Sequence, residues 1–307
     1  MFDPTTLHGI IPPMCTPLND DGEVDLPSVH TLVEHLLAGG VHGIFALGST
    51  GEFASLINRQ RQVLLEVVVA AVRGRVPVLA GIMDTSTGRC VEHGLAARAA
   101  GADAVVLAPI YYFRASQAEI IALFRAVKAA VGLPLLAYDV PTAVHVKLEL
   151  PTIVQLAQEG VIAGLKDSSG ATEAFRRVLL ATRGTGFRIF TGSELIVDAC
   201  LRMGAHGSVP GLANVFPAEY VRIYDLACAG DWEAAAAIQE RLLACFFELI
   251  AQGEPRYSAS ASALGGFKTG LKLRGAIRST RVGAPLHSFS PDEEQRVADV
   301  IRRHGFL

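Results

Sequence analysis

Short apolar runs alternate with longer stretches of helical periodicity along residues 1–230 of the chain. The apolar runs are Gly9–Pro12, Gly43–Leu47, Val76–Ile82, Ala104–Ala108, Pro134–Tyr138, Val161–Leu165, Phe187–Thr191 and Gly207–Val209. Helical patterns between them include Leu26–Ala38, Arg59–Arg73, Gln117–Val131 and Thr172–Thr182. Continuously apolar strands are typical of a parallel sheet that is buried on both faces. This order of elements predicts an α/β fold, a (β/α)8 TIM barrel, with an open doubly wound sheet as the alternative.

Residues 231–307 continue with helical rather than strand-like patterns. An Ala-rich helix is predicted over Trp232–Ala251, a bend containing Gly and Ser follows it, and a final helix begins at Pro291. We therefore expect a C-terminal helical extension that packs on the barrel and does not form a second domain.

Several residues are expected to mark helix ends. Asp25 and Ser86 are of the types that accept hydrogen bonds from the first amides of a helix, and Pro151 fits a first turn. Gly101 and Gly204 are expected to end helices, because glycine adopts the left-handed conformation without strain.

Composition limits the classes of partner. The chain carries 27 Lys and Arg against 30 Asp and Glu, a formal net charge of −3, and this balance lacks the basic patch that nucleic acid requires. No apolar window approaches the ~18 residues of a membrane helix. We therefore expect neither a nucleic acid nor a membrane as a partner. The N-terminal residues lack a signal-peptide pattern, and five scattered cysteines without a CxxC pair predict buried thiols in a reducing cytoplasm.

The most informative single residue is Lys166, one of only five lysines beside 22 arginines. It follows the apolar run Val161–Leu165, and the active sites of such barrels lie where strands end. Partial removal from water favours a neutral amine, which can attack a ketone and form a Schiff base. The alternative is a lysine that extends from the barrel rim to solvent or pairs with Asp167.

Polar residues near other strand ends are further candidates. The turn Gly48–Glu52 offers backbone amides and the hydroxyls of Ser49 and Thr50, which suit an anion such as a carboxylate. Alternatively, Ser49 or Thr50 is an ordinary helix N-cap. Tyr112 and Tyr138 could transfer protons, or could simply bond to the backbone. The nine histidines are dispersed with no HxH or HExxH pattern, so no metal site is predicted.

Four segments occur together in one order at barrel-strand spacing. They are Gly48–Glu52, Tyr111-Tyr112, Tyr138-Asp139-Val140-Pro141 and Gly164-Leu165-Lys166-Asp167. With Gly207–Asn214 they resemble the dihydrodipicolinate synthase / N-acetylneuraminate lyase family, from about Gly9 to the C-terminus. The resemblance implies class I aldolase or lyase chemistry on pyruvate or another 2-oxo acid, without a cofactor. It also implies a homotetramer built as a dimer of dimers.

Roles for individual residues follow from the resemblance. Lys166 would form the Schiff base, and Tyr138 would move protons during imine formation and C–C bond making or breaking. Ser49 would relay protons between Tyr138 and Tyr112, and Tyr112 would reach into the site of a neighbouring subunit. The substrate carboxylate would bind Thr50 and the turn amides, and the carbonyl of Val209 would line the keto-acid pocket.

One position departs from the family pattern. In the synthases, the segment after the fifth strand reads Tyr-Asn-Val-Pro-x-Arg, and its arginine binds the carboxylate of the aldehyde substrate. This chain has Ala143 at the position of that arginine. Alanine cannot make a bidentate carboxylate contact. The sequence therefore favours a Schiff-base lyase, aldolase or dehydratase, that acts on a 2-keto-3-deoxy sugar acid or a similar 2-oxo acid. The alternatives are 4-hydroxy-tetrahydrodipicolinate synthase and a non-catalytic 2-oxo-acid-binding protein. Asp139 replaces the asparagine of the synthases, for a reason that the sequence does not show.

Overall fold

Eight short parallel strands form one sheet in a computed structural model that describes residues 2–253 and 255–307. They are β1 (Gly9–Ile10), β2 (Ile44–Ala46), β3 (Val78–Gly81), β4 (Ala104–Leu107), β5 (Leu135–Asp139), β6 (Gly164–Asp167), β7 (Arg188–Thr191) and β8 (Gly207–Ser208). The ladder order is β1-β8-β7-β6-β5-β4-β3-β2. Backbone bonds from Phe45 N–H to the Pro12 carbonyl (3.0 Å) and from Met14 N–H to the Phe45 carbonyl (2.9 Å) join β2 to the chain after β1. The predicted (β/α)8 barrel is confirmed.

Twelve α-helices accompany the strands in the described part of the chain. They are α1 (Leu26–Ala38), α2 (Asn58–Val72), α3 (Thr87–Ala100), α4 (Gln117–Val131), α5 (Pro141–Val144), α6 (Leu150–Gln158), α7 (Thr172–Ala181), α8 (Val197–Met203), α9 (Pro217–Ala229), α10 (Trp232–Ile250), α11 (Ala259–Leu273) and α12 (Pro291–Arg303). Short 3₁₀ turns occupy Pro4–Thr6, Phe53–Ser55 and Gly211–Asn214. Within the described residues, no helix combines the length and the apolar character needed to cross a membrane.

Alternate residues of β2, β3, β4, β5 and β7 belong to two different hydrophobic clusters, as side chains on opposite faces of a sheet must. Phe45, Leu79, Leu136 and Phe190 belong to a cluster of strand residues and residues from the adjoining segments, which fills the barrel interior. Their strand neighbours pack with apolar faces of the helices in a larger outer cluster. The interior is therefore a packed core, and substrate has access only at the ends of the strands.

Most helix-end predictions hold. Gly101 and Gly204 follow α3 and α8 with φ of 87° and 104°, and the Ser86 hydroxyl accepts the Arg89 N–H (3.4 Å). Asp25 is the exception, because its carboxylate bonds to no amide at the start of α1. It accepts the Ser28 hydroxyl and the guanidinium of Arg278 instead, so a charged partner from the C-terminal segment replaces the cap.

The C-terminal segment differs from prediction between its two expected helices. Where a Gly- and Ser-containing bend was predicted, α11 runs for 15 residues. Its glycines permit close packing, because a Cβ added to Gly266 would lie 1.8 Å from Cδ2 of Leu249 in α10. Glycine inside a helix usually lowers helical propensity, so the sequence pattern suggested a bend although packing favours a helix.

Candidate active site

Lys166 and Tyr138 are direct neighbours across β6 and β5. Lys166 is 5% exposed, and its Nζ lies 4.3 Å from the ring centroid of Tyr138 and 5.0 Å from that of Phe45. In the described chain the lysines that form salt bridges are Lys147, Lys268 and Lys272, so the amine of Lys166 is left without a carboxylate partner. The alternative of a solvent-extended or Asp167-paired lysine does not fit this placement, and a buried amine beside aromatic faces suits a nucleophile.

Ser49 meets Tyr138 in the same region. The Ser49 Oγ and Tyr138 Oη lie 3.5 Å apart, close enough for one weak hydrogen bond in either direction. The turn that carries Ser49 is fixed from below by the buried Thr16, whose hydroxyl donates to the Gly51 carbonyl (2.6 Å). The half-buried Thr50 lies beside Ser49 in this turn. The structure thus brings together a buried amine, a phenol and a hydroxyl-bearing turn.

The turn is not the start of a helix. After Ser49 and Thr50 the chain makes the 3₁₀ turn Phe53–Ser55, and α2 begins only at Asn58. The expectation that Ser49 or Thr50 caps the following helix is therefore wrong. Glu52 has φ of 57°, a left-handed conformation that costs energy in a residue other than glycine. Such strain is common where the surrounding structure holds a turn for function.

A buried ion pair, which the sequence analysis missed, explains how that conformation is held. Glu52 Oε1 lies 2.5 Å from Lys268 Nζ of α11, and both side chains are essentially inaccessible. The second oxygen of Glu52 accepts the Gly283 N–H (2.5 Å), and Lys268 donates to the Arg281 carbonyl (2.5 Å). The C-terminal segment therefore positions the turn that bears Ser49.

A cavity of about 240 Å³ opens beside Tyr138 and Ser49. Its lining residues are Ser49, Glu52, Phe53, Ala54, Ser55, Met83, Ala108, Tyr111, Tyr138, Val140, Ala143, Val144, Ser260, Leu264 and Leu286. Lys166 is not part of this lining, but its Nζ lies 4.3 Å from the ring centroid of the lining residue Tyr138. Ser260, Leu264 and Lys268 are spaced by four residues, so α11 presents one face to the site. Sequence reasoning could not find that face because a bend was expected there.

Tyr112 does not join the other candidates within this chain. Its side chain is 83% exposed, its φ is 80°, and its ring packs edge-on against Phe113, which is also exposed. The half-buried Tyr111 lines the cavity instead. Val209 is buried directly after β8, and its N–H donates to the Thr191 carbonyl (2.8 Å). Tyr112 therefore needs a second subunit if it acts in catalysis.

Glu194 is a second residue near Lys166, and the sequence analysis assigned it no role. Burial raises the pKa of its carboxyl, although the N–H of Gly211 (2.6 Å from Oε1) and the charge of Lys166 favour the ionised form. The Glu194 carbonyl accepts from Gln239 Nε2 (2.8 Å), so α10 holds this residue in place. A buried carboxyl group with a raised pKa near the amine of Lys166 is a candidate for proton exchange with it.

Asp139 is a buried carboxylate that is held by Lys147 and by the backbone of Leu148. It neighbours Tyr138 on β5, but its side chain points to the opposite face and does not line the cavity. Its carboxylate accepts from Lys147 Nζ and, through Oδ1, from the Leu148 N–H (3.1 Å). Burial nevertheless raises the pKa of Asp139, and Lys147 only partly offsets this effect.

We expect Asp139→Asn to stabilise the fold at pH 7. The folded pKa of Asp139 lies above its usual 3.8, so the folded state binds this proton more tightly than the unfolded chain. Ionisation therefore removes stability as pH rises from 3.8 through the folded pKa, and asparagine avoids that loss. Urea unfolding of both proteins at pH 4 and pH 7 should show an advantage for Asp139→Asn that grows with pH. A variant less stable than the parent at pH 7 would contradict this assignment.

No group of three or more His, Cys, Asp or Glu with metal-binding geometry occurs in the part of the chain that the structure describes.

Comparison with known sequences gives the family. A sequence profile described as the dihydrodipicolinate synthetase family matches residues 6–304. The chain is 33% identical over 286 residues to a 4-hydroxy-tetrahydrodipicolinate synthase of Phenylobacterium zucineum, covering 92% of this chain and 96% of that one. It is 32% identical to one of Nitrobacter hamburgensis, with complete coverage of both chains.

Solved structures agree with this result. A dihydrodipicolinate synthase from Bacteroides thetaiotaomicron has a TM-score of 0.91 and 37% identity, covering 97% of this chain and 99% of its own. A prophage protein of the dihydrodipicolinic acid synthase family from E. coli K12, in complex with pyruvate, also has a TM-score of 0.91. It shares 26% identity and covers 98% of this chain and 100% of its own. From its profile match, relatives and fold, this chain belongs to the dihydrodipicolinate synthetase family.

Proposed function

We propose that this protein is a class I lyase whose Lys166 forms a Schiff base with pyruvate or another 2-oxo acid. Family membership makes the chain an enzyme of the lyase class. The observation that carries the finer assignment is the buried amine of Lys166 beside the Tyr138 ring, with no carboxylate partner. The related E. coli structure in complex with pyruvate supports the same ligand class. Reduction of the imine with borohydride, followed by intact-mass measurement, tests the proposal.

In this proposal the remaining residues move protons and bind the substrate carboxylate. Tyr138, whose Oη lies 3.5 Å from Ser49 Oγ, carries protons during imine formation and at the bond that is made or broken. Thr50 and the amides of the same turn bind the carboxylate, and the carbonyl of Val209 lines the keto-acid pocket. The lysine imine withdraws electrons from the neighbouring carbon, so the chemistry needs no metal or organic cofactor.

The second half of the substrate is proposed to be uncharged. Ala143 lies in the cavity lining where the synthases have an arginine, and the described lining residues include no Lys, Arg or His. A carboxylate there would be left without a charged partner. A 2-keto-3-deoxy sugar acid or a similar 2-oxo acid, cleaved or dehydrated, remains within this class.

4-Hydroxy-tetrahydrodipicolinate synthase is the second candidate, because the relatives carry that name. Position 143 carries alanine and no cationic side chain, and this argues against synthase activity. A binder without catalysis is the third candidate, and the intact Lys166, Tyr138 and Ser49 set argues against that. A cytoplasmic location stays a prediction from the sequence.

We also propose that the protein works as a homo-oligomer, a dimer of dimers, in which Tyr112 of one subunit completes the site of another. The support is the 83% exposure of Tyr112 together with the exposed Phe113, two aromatic side chains that a partner subunit would cover. Tyr112 has a left-handed φ and is not among the residues that line the cavity of its own chain.

Complementation between two inactive variants is expected to show this sharing. Co-expressed Tyr112→Phe and Lys166→Ala subunits should regain activity, because a mixed dimer contains one site with an intact Lys166 and a Tyr112 from its partner. Activity of differently tagged, co-purified mixed oligomers measures this against each variant alone. A matched control pairs Phe113→Leu with Lys166→Ala. If the mixed Tyr112→Phe oligomers are no more active than the variants alone, Tyr112 does not act across subunits.

A further inference from the structure

The cavity beside Tyr138 is lined mainly by apolar groups. Most of its accessible surface is carbon, supplied by Phe53, Met83, Val144, Leu264 and Leu286. These residues come from the turn after β2, from the ends of other strands, and from the C-terminal segment. Because Lys166 lies outside the lining but next to Tyr138, we assign the cavity to the part of the substrate that is distant from the imine carbon.

The polar groups of the lining are largely occupied or in contact with water. Glu52 is committed to Lys268 and to the Gly283 N–H, and Ser49 faces Tyr138. Ser260 is exposed, while Ser55 and Tyr111 are half-buried, so their hydroxyls can keep water. A polyhydroxylated tail would exchange hydrogen bonds with water for contacts with carbon, which is unfavourable. A carboxylate tail would enter a lining without a cation.

The size of the cavity limits the group that it accepts. Its volume is about 240 Å³, and an apolar cavity of about 150 Å³ in another protein accommodates benzene. A single six-membered ring or a branched alkyl group therefore fits with room for the reacting carbon. A fused ring system would extend into solvent.

We infer that the acceptor is an uncharged, hydrocarbon-rich aldehyde with a single ring or a branched alkyl chain. This rests on the Schiff-base chemistry of the proposed function and, within it, favours a 2-oxo acid with an apolar tail over the sugar acid. Lys166 condenses with pyruvate and releases water, and loss of a methyl proton gives the enamine. The enamine carbon attacks the aldehyde carbon, one C–C bond forms, and the aldehyde oxygen takes a proton through Tyr138. Water then hydrolyses the imine and releases a 4-hydroxy-2-oxo acid. No oxidant or reductant is consumed, and the reverse sequence cleaves the same bond.

The test compares three aldehydes with pyruvate on the purified wild-type oligomer. Benzaldehyde represents the apolar class, D-glyceraldehyde the polyhydroxylated class and succinic semialdehyde the carboxylate class. Product formation is followed by mass spectrometry, and kcat/KM for each aldehyde is measured at saturating pyruvate. We expect benzaldehyde to exceed each of the others by at least about tenfold, the discrimination that about 1.4 kcal/mol provides. Equal or greater kcat/KM for either polar aldehyde overturns the inference.

A charge placed in the cavity should reverse this preference. Ala143 is exposed and lines the cavity, so Ala143→Arg adds a cation without displacing a buried side chain. It should lower kcat/KM for benzaldehyde and raise that for succinic semialdehyde by at least about tenfold. Thr142→Arg is the matched control, since this exposed neighbour lies outside the lining and adds the same charge. An equal effect of both variants, or none from Ala143→Arg, overturns the apolar assignment.

Borohydride trapping separates the failure of this inference from that of the proposed function. A pyruvyl adduct on Lys166 combined with no turnover of benzaldehyde overturns the acceptor class alone. Absence of the adduct on a folded oligomer overturns the proposed function and, with it, this inference.

Discussion

Lys166→Ala should remove the adduct that pyruvate and borohydride form on the wild-type protein. Loss of the nucleophile should also lower kcat/KM by on the order of 10⁶-fold, as loss of a covalent catalyst does in another enzyme. The physical reason is that Lys166 supplies both the attacking amine and the imine nitrogen that withdraws electrons, and no neighbouring group can replace it. Intact-mass measurement of the reduced protein and steady-state kinetics give the two results.

Two control variants make the result specific. Lys128→Ala removes a lysine of α4 that donates to the Leu133 carbonyl, and it should keep the full adduct. Lys166→Arg keeps a positive charge but cannot form the imine, so it should behave like Lys166→Ala. An adduct that persists in both Lys166 variants would place the reactive amine elsewhere.

Lys268→Met should lower the free energy of unfolding by about 3–5 kcal/mol, which is typical when one partner of a buried ion pair is removed. The reason is that Glu52 would remain buried with an unpaired charge, since neither side chain reaches water. Urea unfolding at pH 7, with protein concentration fixed because of possible oligomer dissociation, measures the change.

A double variant distinguishes an unpaired charge from lost packing. Glu52→Gln/Lys268→Met has no buried charge at this position, so it should recover much of the stability that Lys268→Met loses. The control is Arg125→Met, which breaks the surface pair of Arg125 and Glu159 and should have a much smaller effect. If the double variant is as unstable as Lys268→Met, packing rather than charge dominates the interaction.

The two predictions concern one candidate site, to which the barrel and the C-terminal segment both contribute. Lys166 comes from a barrel strand, whereas Lys268 holds the turn that carries Ser49 from a helix 102 residues later in the sequence. Deleting or loosening the C-terminal segment should therefore affect the geometry around Ser49 as well as overall stability. The helical extension therefore contributes Lys268, Ser260 and Leu264 to the candidate site and does more than cover the barrel.

The sequence predicted the barrel well because its signals are local and repeated. Continuously apolar strands, helical stretches between them and glycines such as Gly101 and Gly204 each reflect local backbone preferences or burial on both faces. Strand ends were less accurate: the first run was expected to reach Pro12, but β1 ends at Ile10. Pro12 and Pro13 lack an N–H for the ladder, so regular pairing stops before them.

The sequence by itself determined which polar residues stand at the ends of which strands. It therefore determined that Lys166 lies beside Tyr138 and that Ser49 lies near both. Parallel strands end at one edge of a barrel, so residues at their ends must converge. Only the tertiary structure decided the Glu52–Lys268 pair, the partner of Asp139 and the composition of the cavity. Those contacts join residues that are distant in sequence and depend on how α11 packs, which no local pattern of hydrophobic and polar residues specifies.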